Sequence, residues 1–363
     1  MNRKNSSRRR SHTGQGISFH AWQLFACAIS IAAVVTFLAH DRHASQPSTR
    51  TPTIDHLATA KRALAAGRFS AAGQSAAAVL AQQPDHAEAL LIAGDVASRR
   101  GDLPAALAYY ERLPDSDDPG VVMGRCAAAD IALHLGEWQR AEQGFREVLR
   151  TAPDHPLALT RLAYLLTLEG RGRLAVPLRL RLIAQGESST DNLAFLSDLD
   201  RLAPIPPDFL PDDEDDAEWP SLLGLAAAAL EKHEDERCQT LLDRVLAKAP
   251  QCPEALAMQG QLLLAISPEW FAEWCLQSST ALEELPEFWN ISGRWLQSQR
   301  KFPAAARAFW ETLRRQPEHR GAHDGLAQTL AALGRTEDAK YFSERHRQLD
   351  EFGSLVLRTR VDP

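Results

Sequence analysis

The chain has 363 residues, 45% of them hydrophobic, and a formal net charge of −7. That length allows one extended domain or two compact ones. Arg3, Lys4, Arg8, Arg9 and Arg10 stand without an acid in residues 1–16, so the remainder carries −12. An acidic body excludes the basic surface that phosphate contacts require, and nucleic acid is not an expected partner. Much of the apolar share is alanine, which favours helix and lets helices approach closely. The composition therefore predicts an all-α chain.

Residues 17–39, "ISFHAWQLFACAISIAAVVTFLA", contain no Asp, Glu, Lys or Arg. As a helix this stretch would span roughly 35 Å, enough for a hydrocarbon core of about 30 Å. Trp22 sits near its basic end, where an amphipathic ring suits the membrane interface. The stretch is read as an uncleaved transmembrane signal-anchor helix. A cleaved signal peptide is the rival reading, but the stretch is long for one and "TFLAHDRHA" offers no clean pair of small residues before a cut. The positive-inside rule keeps the basic leader, residues 1–16, in the cytoplasm and puts the body outside it, in a periplasm-like space. Residues 40–52 are polar, carry two prolines and read as a linker. Of the five cysteines, Cys27 lies in the apolar stretch. Cys126, Cys238, Cys252 and Cys275 are irregularly spaced with no Cys-x-x-Cys pair, and are expected as free thiols rather than disulfides.

Beyond the linker the chain repeats itself. "QQPDHAEAL" at 82–90 returns as "APDHPLAL" at 152–159, "APQCPEAL" at 249–256 and "RQPEHRGAH" at 315–323. Pro84 to Pro153 is 69 residues and Pro250 to Pro317 is 67, each close to twice a period of about 34. Frames of that length begin at Thr53, Ala87, Val122, Pro156, Trp219, Pro253, Pro286 and Arg320. Their eighth places are Ala60, Gly94, Ala129, Ala163, Ala226, Gly260, Gly293 and Ala327, all small. Their twentieth places are Ala72, Ala106, Ala141, Ala175, Cys238, Ala272, Ala305 and Ala339, again small. The fifteenth is glycine at Gly67, Gly101, Gly136, Gly170 and Gly334. Large residues fill the seventeenth (Phe69, Leu103, Trp138, Phe302) and the twenty-fourth (Tyr110, Phe145, Leu242, Leu276, Phe309).

In these residues the chain resembles the tetratricopeptide-repeat family over roughly residues 53–350. "ALAAGRFSAAGQSAAAVLAQQPD" and "ALHLGEWQRAEQGFREVLRTAPD" match its pattern closely. The resemblance implies an α-solenoid of about eight helix-turn-helix repeats in two halves, 53–189 and 219–350, with a tail at 351–363. Small residues at the eighth and twentieth places let two helices nest, the glycine ends the first helix in a left-handed cap, and the proline stops the second. One repeat cannot bury its apolar face alone, so stability is shared along the stack. The Pro-Asp-His element is then the inter-repeat turn. His86, His155, Cys252 and His319 lie too far apart along the array to converge on a metal ion.

Several copies depart from the pattern. Repeat 2 ends early, at "ERLPDSDDPG". Repeat 4 has Gly172 and Pro177 inside its second helix, which predicts a short or bent element. His233 and Arg300 take the glycine place in repeats 5 and 7, and "SPEWFAEW" disturbs the turn of repeat 6. Residues 190–218 leave the frame, with four prolines and the acids Asp212, Asp213, Glu214, Asp215, Asp216 and Glu218. A solvated spacer is the plainer reading and a docking segment the sharper one. Phe195, Leu199, Phe209 and Leu210 give it something to pack.

No phosphate loop, nucleophile elbow or zinc helix is present in the sequence. "KHEDERC" at 232–238 reads as a solvated turn rather than a metal site, and "EGRGR" at 169–173 is too short to cradle a phosphate. No enzyme activity, cofactor or metal is expected. In the family the first helix of each repeat lines a concave groove. Carried over, the resemblance implies groove residues Lys61, Asp95, Arg99, Asp130, His134 and Tyr164 in the upper half, and Gln261, Asn290, Arg294, Gln297, Asp324 and Gln328 in the lower. Mixed polar residues of this kind suit protein or peptide partners. The expected function is a membrane-anchored scaffold or adaptor in envelope or cytochrome assembly. A periplasmic holder of unfolded chains, or an accessory subunit of an enzyme complex, is the alternative.

Overall fold

The computed structural model describes residues 52–186, 216–277 and 280–361, together with Asn192, Leu196, Ile205 and Glu214. The basic leader, the apolar span 17–39 and the linker up to Thr51 lie outside the described residues, as do Phe195, Leu199, Phe209 and Leu210 of the spacer. Among the described residues every regular element is an α-helix, and no helix is long and apolar enough to cross a membrane.

The described residues form two compact units that part between Gly124 and Arg125. The first holds α1 (Pro52–Ala65), α2 (Phe69–Gln82), α3 (Ala87–Arg99) and α4 (Leu103–Tyr110), and ends inside α5 (Pro119–His134). Within it α1 packs on α2, α2 on α3 and α3 on α4. The core joins Ala60 and Ala63 to Ala72, Ala76, Ile92, Ala93 and Val96. The shortness of α4, eight residues, matches the early end read from "ERLPDSDDPG".

The second unit continues with α6 (Trp138–Thr151), α7 (Pro156–Leu168), α8 (Gly172–Ala184), α9 (Trp219–Glu231), α10 (Asp235–Lys248) and α11 (Pro253–Ile266). It ends with α12 (Phe271–Gln277), α13 (Thr280–Glu283), α14 (Pro286–Ser298), α15 (Phe302–Arg315), α16 (Arg320–Ala332) and α17 (Thr336–Val361). Helices adjacent in sequence pack in pairs: α7 with α8, α9 with α10, α14 with α15, α16 with α17. Pairs join through α6–α7, α10–α11 and α15–α16.

The pairing follows from the small residues. Ala60, Ala72, Ala106, Ala129, Ala141, Ala163, Ala175, Ala226, Cys238, Ala305 and Ala327 are all buried. Bulky partners fill the space they leave: Trp138, Phe145, Leu242 and Phe309 are fully buried, and Tyr110 nearly so. The turn inside each pair needs one residue in the left-handed region, and Gly67, Gly101, Gly136, Gly170 and Gly334 supply it at φ between 69° and 79°. His233 and Arg300 take the same conformation, φ 58° and 56°, without being glycine. The frame therefore imposes its turn on residues that resist it.

The structure corrects the sequence reading at several points. α8 is not shortened: it runs 13 residues with Pro177 inside, the same length as its partner α7. In repeat 6, Leu276 does not fill the twenty-fourth place but is 88% exposed, and Ala272 is only half-buried. Ser267, in the glycine place, has φ −145°, and the described residues of the second helix are α12 and α13, on either side of residues 278–279. Among the described residues of the spacer, Glu214 and Asp216 are exposed, whereas others pack against the repeats. Ile205 packs against the core of α6–α8 and also against that of α9–α11. Asn192 is buried and accepts a 3.0 Å hydrogen bond from Arg179, and Glu214 pairs with Arg237 at 2.9 Å. The Glu218 carboxylate accepts from the Gln139 N–H at 2.7 Å, capping α6 from 79 residues away. The interruption in the frame thus leaves α6–α8 and α9–α11 sharing one apolar seam.

Candidate functional site

The residues assigned to the groove sit on first helices, as the frame requires, and many are already paired with one another. In the first unit Lys61 on α1 binds Glu88 on α3 at 2.8 Å, and Arg99 binds Asp95 one turn back at 2.9 Å. The Arg99 guanidinium also covers the Phe69 ring at 5.2 Å. These pairs fix side-chain directions and contribute little energy, about 0–1 kcal/mol each.

In the second unit Asp130 on α5 meets Arg161 on α7 at 3.2 Å. Burial pushes the Asp130 carboxyl up to about 6 against the opposing pull of Arg161. Tyr164 is half-buried beside them, and burial raises its phenol. His134, at the end of α5, is exposed. Further along, Gln297 on α14 donates to Gln328 on α16 at 3.3 Å, and Gln328 donates to Asp324 at 2.8 Å, so three of the assigned residues form one polar ladder. Asn290 is half-buried with its Oδ1 lacking a partner, while Gln261 and Arg294 are exposed. Of the assigned residues, Gln297, Gln328 and Asp324 are hydrogen-bonded across neighbouring repeats, and Asp130 and Tyr164 both face Arg161.

Sequence reasoning missed the most strongly charged cluster. At the turn between α7 and α8, Arg171 Nη1 stands 2.8 Å from both Glu142 and Glu169, its Nε is 4.0 Å from Glu254, and its guanidinium covers the Trp219 ring at 5.5 Å. Glu169 is fully buried and its Oε1 lacks a partner. Two acids compete for one cation. The less buried Glu142 stays charged, held below the usual range by Arg171 and Arg146 against its own desolvation, whereas burial drives Glu169 up to about 8. The only signal in the sequence was "EGRGR", read as too short to cradle a phosphate, and it is the turn that ties three repeats together.

Cys126, His155 and Asp130 resemble a thiol site, with Cys126 Sγ 3.9 Å from His155 Nδ1. Burial raises the Cys126 thiol to about 12, so it holds its proton, and His155 Nδ1 already accepts from the Ala158 N–H at 3.3 Å. A thiol that stays protonated beside an occupied acceptor is no nucleophile. The other cysteines, Cys238, Cys252 and Cys275, are also free, and burial lifts each to about 11. The turn histidines have a structural task. His86, His155 and His319 are the N-caps of α3, α7 and α16, each accepting a backbone N–H three residues on. Cys252 holds the same place before α11 without a side-chain cap.

Successive helix pairs, nested through alanine seams and presenting polar faces on their first helices, define a helical-repeat protein. A family model for the tetratricopeptide repeat matches residues 57–120, 126–189 and 293–345. The chain is a tetratricopeptide-repeat protein. Among solved structures, a tetratricopeptide-repeat protein from Parabacteroides merdae ATCC 43184 aligns at 15% identity, over 77% of this chain and 98% of its own, with a TM-score of 0.35. The APC/C hetero-tetramer Cut9-Hcn1 aligns at 13% identity over 91% of this chain and 74% of its own, also at 0.35. YrrB, described as having an unusual peptide-binding site, aligns at 12% identity over 79% and 98%, at 0.26. No curated protein matches the chain.

Proposed function

We propose that this chain is a membrane-anchored scaffold that holds protein or peptide partners on the first-helix faces of its repeats, on the extracytoplasmic side, and performs no catalysis of its own. The repeat fold supports a protein–protein interaction role. The observation that carries the reading is the Gln297–Gln328–Asp324 ladder beside the exposed Arg294, where amide and charged groups from two repeats converge without a reactive residue. Groups of this kind satisfy an extended peptide's backbone and side chains. The charge-free stretch 17–39 and its basic flank support the anchor and its orientation, which would concentrate the array at the membrane.

Affinity purification of the full chain from detergent extracts tests the scaffold. The expected result is a stoichiometric partner that the double variant Arg294→Ala, Gln328→Ala releases while the helical content stays unchanged. Retention of the same partner by that variant, or substrate turnover without any partner, would sink the reading. A reporter fused after Pro363 should be active only outside the cytoplasm.

A further inference from the structure

Three of the inter-repeat joints share one capping device. His86, His155 and His319 each precede a first helix in extended conformation, and each turns Nδ1 back onto that helix. The bonds are Ala89 N–H to His86 at 3.4 Å, Ala158 N–H to His155 at 3.3 Å and Ala322 N–H to His319 at 3.1 Å. In every case Nδ1 is the acceptor, which it can be only while that nitrogen carries no proton. Protonation turns the acceptor into a donor facing another donor, and it sets a positive charge at the positive end of the helix dipole. Asn, Asp, Ser and Thr caps lack this sensitivity in the neutral range; histidine has its ordinary titration there.

We propose that these three histidines make the array acid-sensitive: protonation uncaps α3, α7 and α16 together and loosens the repeats that carry Asp95, Arg99, Tyr164, Asp324 and Gln328. The surroundings do not offset the added charge. Beside His86, Asp85 faces Arg112 at 3.7 Å and Glu88 is taken by Lys61. Beside His155, Asp154 pairs with Arg181 at 2.8 Å, the Cys126 thiol faces Nδ1, and the nearest further carboxylate, Asp130, is paired with Arg161. His319 is buried; its neighbour His323 faces His319, Arg345 and His346, Glu318 is exposed, and Asp350 is shared by Arg320 and His346, each at 3.2 Å. Desolvation lowers His155 below its usual value, as a neutral cap requires.

The sign follows from linkage. Desolvation holds His155 lower when folded than when unfolded, so the stability its cap contributes is full above the ordinary histidine range and is lost as pH falls. Any effect on a bound partner rests on the groove reading above; the uncapping itself does not.

Amide hydrogen exchange on the full chain in detergent, corrected for intrinsic rates, reads each joint separately. Between pH 7 and pH 5 the first-turn amides of α3, α7 and α16 should lose about fivefold in protection, the equilibrium equivalent of one lost cap. Those of α9 and α14, whose N-cap residues Glu218 and Leu285 make no side-chain cap, should not follow them. In the triple variant His86→Asn, His155→Asn, His319→Asn the carboxamides cap at both pH values, and the difference should vanish. An equal loss at α9 and α14, or a loss that survives in the asparagine variant, would overturn the proposal. A chain that passes this test yet holds no partner at either pH would sink the groove reading alone.

Discussion

In repeat 7, Gly293 of α14 faces the Phe309 ring of α15, and a Cβ at Gly293 would stand 2.7 Å from Phe309 Cε1. In repeat 6, Gly260 of α11 faces Trp274 of α12, where a Cβ would stand 2.5 Å from Trp274 Cζ2. Phe309 holds the place that the frame assigns to the aromatic, whereas Trp274 stands two residues before it. The displaced Trp274 packs in a ring cluster, 5.2 Å from Phe271 and 6.0 Å from Phe288, while Leu276 is left in solvent. In both of these seams a glycine stands opposite a large ring. The ring need not come from a fixed place in the frame.

The largest test of this comparison is truncation at the two twenty-fourth places. Phe309→Ala should cost about 3–5 kcal/mol, since it removes a fully buried ring, while Leu276→Ala should stay within about 0.5 kcal/mol. Denaturant midpoints of the two variants decide it, and a large cost at Leu276 would break the account of repeat 6. Next, Gly293→Ala should destabilise by about 1–3 kcal/mol, because its methyl must displace a ring that has no room to yield. A neutral outcome would mean that the seam is looser than the geometry states.

The charged turn of repeat 4 offers a pH test. Glu169 is an acid whose folded value, about 8, lies above its unfolded one, so it favours the fold at low pH and that contribution is lost as pH rises towards 8. Glu169→Gln removes the titration. Between about pH 5 and pH 8 the wild type should therefore lose stability relative to this variant, by at most about 1.4 kcal/mol per pH unit, and level off above. Unfolding curves at pH 5, 6.5 and 8 check the sign, which is opposite to that of the histidine caps.

Smaller effects sharpen the turns. Arg300→Gly should stabilise by about 1 kcal/mol by relieving a left-handed non-glycine residue, whereas Ser267→Gly, at φ −145°, should bring no gain. Melting temperatures of the two variants measure the contrast. The smallest effect belongs to Arg173, which reaches from α8 to Glu287 on α14 at 3.3 Å and to Gln316 at 3.2 Å, linking repeats 4 and 7. Arg173→Ala should cost about 0–1 kcal/mol, because the pair is partly exposed. A much larger cost would show that contact beyond neighbouring repeats governs the second unit.

The periodic small residues and glycines determined the helix pairs, their turns and the first-helix location of Asp95, Tyr164 and Gln328, because nesting two helices is a local problem with few solutions. The same periodicity forced His233 and Arg300 into a glycine conformation, so the frame was legible even where its residue was missing. What only the tertiary structure decided depends on chain segments far apart in sequence. Ile205 closes the seam across the interrupted frame, Glu218 caps α6, and Arg171 collects Glu142, Glu169 and Glu254 from three repeats. The histidines belong to both accounts. Spacing placed them at the joints, but only the backbone direction at each helix start made Nδ1 an acceptor, since a hydrogen bond needs an orientation that no spacing records.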